Sequence, residues 1–163
     1  MSAFRVTCIV FAAASMAACG VIHRNEPVTQ ITSTGVVAAS TRWNATLATP
    51  AELAGAVQVR GTGYWASANN GGSSQAVVYI SNVTPGGQHP WALHRGRCGS
   101  DEGLIGSEST YPILTVDAKG NASAAASVTQ MMPTSGDYFF QILASPQNRS
   151  TVIACGNLAP PVQ

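Results

Sequence analysis

The feature that most constrains the fold of this chain is a series of short segments in which apolar and polar residues alternate. A period of two residues is typical of half-buried β-strands, and no segment shows a convincing helical pattern. Turn residues end the segments, as at Asn69–Gly72 and Pro85–Gly87. The sequence therefore predicts an all-β protein, an antiparallel Greek-key β-sandwich or flattened barrel of about eight strands.

The predicted strands are spread evenly from residue 41 to the C-terminus. Residues 51–55 are expected to form a turn or a single helical turn, and residues 99–111 a loop that is rich in glycine and acidic residues. The remaining segments with alternation are predicted to be, or to contain, strands: 41–47, 56–65, 75–81, 89–98, 112–116, 121–129, 137–144 and 151–155.

The first eighteen residues have the order of a secretory signal peptide. Arg5 is followed by the apolar run Val6–Ala14, which is too short to span a bilayer permanently, and then by small residues. A buried core helix is the alternative, but such a helix needs a polar face that this run lacks. Residues 1–18 are therefore predicted to be a signal peptide.

The residues after the apolar run, Met16-Ala17-Ala18-Cys19-Gly20, resemble the bacterial lipobox, whose cysteine becomes the lipidated first residue. The resemblance implies acyl chains on Cys19, and at about 0.8 kcal/mol per buried CH₂ several chains give stable anchoring. Gly20 after the cysteine favours the outer membrane in a Gram-negative cell. We therefore expect a protein of the bacterial cell envelope that is lipid-anchored to the outer membrane and faces the periplasm. The membrane is its one predicted partner.

The domain boundaries follow from the same signals. Residues 19–40 lack periodicity and are interpreted as the lipidated N-terminus and its tether. Residues 41–159 are predicted to form the β-sandwich domain, and residues 160–163 a short tail.

Composition excludes two classes of partner. Only 9% of the residues are charged and the formal net charge is +1, against about 25% charged residues in an average globular domain. The chain has no basic patch of the kind that binds nucleic acid, and no acidic run that would buffer cations. We expect no nucleic-acid partner, and the composition identifies no protein or small-molecule partner.

Two of the four cysteines remain available for pairing in the mature domain. Cys8 leaves with the signal peptide and Cys19 is taken by lipid, which leaves Cys98 and Cys155. In an oxidising compartment an even remainder indicates a disulfide. A metal–thiolate pair is the alternative, but no other soft ligand flanks either cysteine, so the disulfide is favoured.

The segments around these two cysteines resemble the copper–zinc superoxide dismutase family. That family has a His-x-His strand before a cysteine in a Gly-rich loop, and this cysteine bridges to a C-terminal Ala-Cys-Gly segment. Here Cys98-Gly99 opens the loop, residues 154–158 (Ala-Cys-Gly-Asn-Leu) match the partner segment, and residues 117–122 resemble the family's turn before the next strand. The resemblance covers about residues 42–158 and implies a superoxide dismutase-like fold.

The same resemblance implies a copper ion held by several histidines, most of which this chain lacks. The two histidines of the His-x-His strand fall on Ala92 and His94, and a further copper histidine falls on Leu143. The loop at residues 99–111 contains no histidine, so the bridging and zinc ligands are missing too.

An arginine that guides superoxide in the family is also displaced. It is expected three residues before the final cysteine, where this chain has Val152. Arg149 lies three residues further back and is not an obvious substitute.

We therefore expect no redox metal, because one imidazole cannot supply the array that copper requires. His94 is predicted to be hydrogen-bonded locally, or to be a relic with a new binding role. His89 lies five residues before it along a predicted strand, so the two should point to opposite faces. The loop acids could bind a hard ion weakly but are expected to be simply solvated; they are Asp101, Glu102 and Glu108.

Two functions remain open from the sequence. One is a non-catalytic lipoprotein that uses a dismutase-like fold as a binding or structural module, with no catalytic residue and no cofactor. The other is a divergent periplasmic superoxide dismutase with a rearranged copper site. Copper is expected as a cofactor only under this second hypothesis. The loss of ligands at Ala92 and Leu143 favours the first.

Overall fold

A computed structural model describes residues 42–68 and 72–161 of the chain. The predicted signal peptide, Cys19 and the tether lie outside the described residues, as do part of the turn near residue 70 and the last two residues. Within the described ranges the chain forms ten strands and two short 3-10 helices, which confirms the all-β prediction. None of the described helices is long and apolar enough to cross a membrane.

The described strands form one large curled antiparallel sheet and one small pair. The large sheet has the strand order β6-β5-β9-β10-β1-β2-β3-β8, and β4 pairs with β7. The 3-10 helices span Ala51–Leu53 and Glu108–Thr110. The strands are β1 Trp43–Ala48, β2 Arg60–Ser67, β3 Ser74–Ser81, β4 Gln88–His89, β5 Trp91–Arg97, β6 Ser100–Leu104, β7 Leu114–Thr115, β8 Ala122–Val128, β9 Tyr138–Leu143 and β10 Val152–Ala159.

Alternation along the strands builds the core on one side of the curled sheet. In β1, the side chains of Trp43, Ala45 and Leu47 are buried, and the residues between them are exposed. Burial of apolar surface at about 25 cal/mol per Å² is the main force that selects this register. Trp65 is fully buried, and its indole N–H donates to the hydroxyl of Ser74 at 2.7 Å.

Strand β5 follows the predicted alternation. Trp91 and Leu93 are buried in the core, whereas Ala92 and His94 face the outer side of the sheet. The Trp91 ring meets the rings of Tyr111 and Phe140 at centroid distances of 5.1 Å and 6.1 Å. The prediction for this strand is therefore confirmed.

The predicted disulfide is present between Cys98 and Cys155. Their Cα atoms are 5.9 Å apart, and the bridge joins positions 57 residues apart in sequence. It ties the turn after β5 to strand β10. The backbone N–H of Cys98 also donates to the side-chain oxygen of Asn157 at 2.8 Å, so the turn is held at two points.

The prediction that residues 99–111 form a loop is wrong in its first half. Residues Ser100–Leu104 form strand β6, which pairs with β5 from Arg97↔Ser100 to His94↔Leu104. The strand lacks apolar alternation because it is exposed along almost its whole length. Gly99, with φ of 84°, makes the tight turn that starts the hairpin.

Candidate functional site

The outer face of β5 and β9 brings together three positions that the sequence resemblance singled out. Ala92 lies opposite Gln141 and His94 lies opposite Phe139 in the ladder between the two strands. Leu143 is two residues beyond Gln141 on the same face. The side chains of Ala92, His94, Gln141 and Leu143 all line one cleft of about 260 Å³, which we call the His94 cleft.

His94 is held in place on both sides of its ring. Its Nδ1 lies 3.0 Å from the Asp101 carboxylate, and its ring centroid is 5.2 Å from that of Phe139. Only 13% of the His94 side chain is exposed. Because an ionised carboxylate can only accept a hydrogen bond, Nδ1 of His94 is the donor to Asp101, and Nε2 is the ring nitrogen left for another partner.

The carboxyl group of Asp101 has a lowered pKa. Partial burial acts to raise the pKa of its carboxyl group, but hydrogen bonds from the Gly103 backbone N–H and from His94 outweigh burial and lower the pKa below its usual value. The carboxylate therefore fixes the orientation of His94 at neutral pH. His94 and Asp101 lie seven residues apart on the same hairpin, so their hydrogen bond agrees with the local interaction predicted for His94.

An ion pair lies at the edge of the His94 cleft. Arg149, in the segment between β9 and β10, donates to the Glu108 carboxylate, and both side chains line the cleft. No role was predicted for Arg149, because it lies three residues away from the position where the family has its arginine. Both groups are substantially exposed, so the pair contributes no more than about 1 kcal/mol to stability.

The other predicted polar residues do not join the cleft. His89 is buried, and its Nδ1 lies 3.1 Å from the Leu143 carbonyl oxygen, which accepts its proton. His89 ends β4 of the small sheet, so the prediction that it shares a strand with His94 is wrong. Its imidazole does not line the His94 cleft. Glu102 is exposed on β6 and has no hydrogen-bond partner within the described part of the chain.

The donor set of the His94 cleft does not fit copper. Among the described residues that line it, one imidazole is present, while Ala92 and Leu143 offer only hydrocarbon. Copper sites in proteins require several nitrogen donors in a fixed array. The described residues also contain no group of three or more His, Cys, Asp or Glu side chains placed to hold a metal ion.

A larger cleft of about 830 Å³ shares Gln141 with the His94 cleft. The disulfide and the 3-10 helix at Ala51–Leu53 line it, together with Asp101.

No protein-family model matches this sequence, and a search of curated proteins returns no significant match. The likeness to superoxide dismutases stays a prediction from sequence motifs.

Proposed function

We propose that this protein is a membrane-anchored lipoprotein of the bacterial envelope whose superoxide dismutase-like domain is a non-catalytic binding module. The domain has lost the metal chemistry of the family it resembles. Its β-sandwich serves as a stable, disulfide-linked scaffold that presents binding surfaces.

The donor set of the His94 cleft is the observation that carries this proposal. A copper site built on β5 and β9 would need imidazoles at positions 92, 94 and 143. The side chains at 92 and 143 are a methyl group and a branched hydrocarbon, and His94 is already oriented by Asp101. These substitutions replace metal ligands with inert surface and leave the fold around them well packed.

The location rests on the sequence signals and is supported by the disulfide. A bond between Cys98 and Cys155 persists in an oxidising compartment such as the periplasm. The signal peptide and the lipobox at Cys19 would deliver the chain there and anchor it to the membrane.

One observation favours the alternative, a divergent dismutase. A histidine whose Nδ1–H donates to a carboxylate is the arrangement that often orients metal-bound imidazoles, and His94 has it with Asp101. In that case Nε2 of His94 would be one ligand, and any further imidazole ligand would have to come from outside the residues that line the cleft in the described structure.

Metal analysis separates the two functions. The full chain with Cys19→Ser, which should be soluble, is loaded with copper and zinc, dialysed, and analysed for metal content and dismutase activity. We expect far less than one copper per chain and no activity above that of free copper. One copper per chain together with dismutase turnover would overturn the proposal in favour of the alternative.

A further inference from the structure

The outer face of strands β1, β2, β3 and β8 carries a row of hydroxyl groups that is separate from the His94 cleft. Register places Ser123 of β8 opposite Tyr79 of β3, Tyr79 opposite Thr62 of β2, and Thr62 opposite Thr46 of β1. Adjacent strands lie about 4.8 Å apart, so the row spans about 14 Å. We call these four residues the hydroxyl row.

None of the four hydroxyls is used to hold the fold together. All four residues are exposed, and none of their side chains has a hydrogen-bond partner within the described ranges. Each hydroxyl can both donate and accept a hydrogen bond. The row therefore offers a line of free donors and acceptors on a rigid sheet.

Tyr79 is the large apolar group of this face. Its side chain is 49% exposed, and it lies on β3, which is flanked on both sides by β2 and the edge strand β8. The residue stands between two shallow depressions of about 650 Å³ and 850 Å³, and both are lined by Tyr79 and Thr62. A ligand that crosses from one depression to the other would cover the ring and recover hydrophobic contact.

A second aromatic ring is fixed beside the row. The guanidinium of Arg42 lies 4.2 Å from the ring centroid of Tyr64, and its Nε donates to the side-chain oxygen of Asn44 at 2.8 Å. The Arg42 charge is thus engaged with an aromatic face and an amide. Asn44 and Tyr64 line the larger depression.

Charge decides the class of ligand that this surface fits. The hydroxyl row contains no acidic or basic side chain, and Arg42 in the larger depression is committed to Tyr64. The smaller depression is lined by Asp117, whose carboxylate accepts two backbone hydrogen bonds and would repel an anionic ligand. A charged ligand would gain no ion pair in the row and would lose hydration. A neutral ligand with many hydroxyl groups and an apolar face would match both the free hydroxyls and the exposed ring.

We infer that the hydroxyl row, with Tyr79 at its centre, is a binding site for a neutral oligosaccharide. The sugar's apolar ring face packs on Tyr79, and its hydroxyl groups exchange hydrogen bonds with Thr62, Thr46 and Ser123. The inference rests on the proposed binding role but not on the loss of metal, and it names the class of ligand for that role.

The test is a titration of the full chain carrying Cys19→Ser, monitored through amide chemical shifts in NMR spectra. The two ligands are cellotetraose and the β-1,4-linked tetramer of N-acetylglucosamine. We expect saturable shifts of at least one neutral tetramer at residues of β1, β2 and β3. Shifts that cluster around the His94 cleft, or no saturable shift with either tetramer, would overturn the inference. A tetramer of galacturonate, which is anionic, should bind more weakly than the neutral ligands, and tighter binding would also overturn it.

Variants locate the site. Tyr79→Ala should weaken binding by about tenfold or more, where tenfold corresponds to about 1.4 kcal/mol, and Tyr79→Phe should keep most of the affinity because the ring remains. Thr62→Val, which retains a β-branched side chain, should weaken binding by removing one hydroxyl. Met131→Ala is the matched control, because Met131 is an exposed apolar side chain outside both depressions. This variant should bind the tetramer with the affinity of the parent chain. Equal affinity of Tyr79→Ala and the parent chain would contradict the assignment.

These outcomes are independent of the metal analysis. A chain that binds copper and also binds the tetramer would refute the loss of metal chemistry and leave the oligosaccharide site standing. A chain that binds neither would refute the oligosaccharide site alone.

Discussion

At the scale of single residues, polar side chains do most to fix the turns around the sheet. Asp117 accepts hydrogen bonds from the backbone N–H groups of Lys119 and Asn121 at 2.8 Å and 2.9 Å. Gly120 adopts a φ of 79°, and its carbonyl accepts from the Val83 N–H at 3.1 Å. One carboxylate and one glycine thus hold the turn before β8 against the segment after β3.

Asp117 makes the stability of the domain depend on pH. The hydrogen bond from the Asn121 backbone is the main cause that lowers the pKa of this carboxyl below its usual value. A lowered pKa in the folded state adds stability above the ordinary value of about 3.9, and this stability is lost as pH falls through the folded pKa. We expect Asp117→Asn to melt at a lower temperature than the parent chain at pH 7, and the difference to shrink below about pH 4.

Thermal unfolding at a series of pH values checks this. Glu102→Gln is the matched control, because its carboxylate is exposed and has no hydrogen-bond partner among the described residues. A melting difference for Asp117→Asn that is the same at pH 7 and pH 3 would refute the role of the charge.

At the scale of elements, the sequence predicted those strands whose side chains alternate between core and solvent. Strands β1, β3, β8 and β9 lie within two residues of their predicted bounds, because burial on one face imposes the period of two. Strand β6 was missed because its residues are almost all exposed and carry no such pattern. It exists because a glycine turn folds it back on β5, and backbone pairing leaves little trace in side-chain composition.

The candidate site was predictable in part for the same reason. The alternation of β5 placed Ala92 and His94 on the outer face from sequence alone. The contacts of His94 with Asp101 and of Glu108 with Arg149 depend on how the hairpin and two loops fold over that face. Such contacts between segments with no shared periodicity could not be read from spacing.

One buried side-chain hydrogen bond links strands β2 and β3. The indole N–H of Trp65 donates to Ser74, and both side chains are fully buried. Ser74→Ala would leave this donor unsatisfied, and we expect a loss of about 1–3 kcal/mol in the free energy of unfolding. Ser127→Ala, at an exposed position on β8, should change it by less than about 0.5 kcal/mol.

Urea unfolding followed by tryptophan fluorescence measures both variants. Equal midpoints for Ser74→Ala and Ser127→Ala would show that the buried bond contributes nothing.

At the scale of the whole molecule, the disulfide between Cys98 and Cys155 closes a long covalent loop. It joins residues 57 positions apart and links the β5–β6 hairpin to β10. On the chain-entropy model a loop of this length adds about 4 kcal/mol by restricting the unfolded chain. The Cys98→Ser/Cys155→Ser double variant should therefore unfold at a clearly lower temperature than the oxidised parent chain.

Calorimetry of the parent chain with and without reductant provides the control for that variant. The reduced parent and the double variant should melt together. If both melt at the temperature of the oxidised protein, the bridge does not stabilise the domain.

The proposed loss of metal chemistry requires the His94 cleft to have the geometry of a copper site without its ligands. Ala92, His94 and Leu143 line the same cleft, so Ala92→His/Leu143→His should bring three imidazoles together there. The most direct test is copper titration by calorimetry of this double variant beside the parent chain, both with Cys19→Ser. We predict at least about a tenfold gain in copper affinity for the variant, or about 1.4 kcal/mol, and weak binding by the parent. Tight stoichiometric copper binding by the parent, or no gain in the variant, would contradict the proposal that this cleft is a copper site without its ligands.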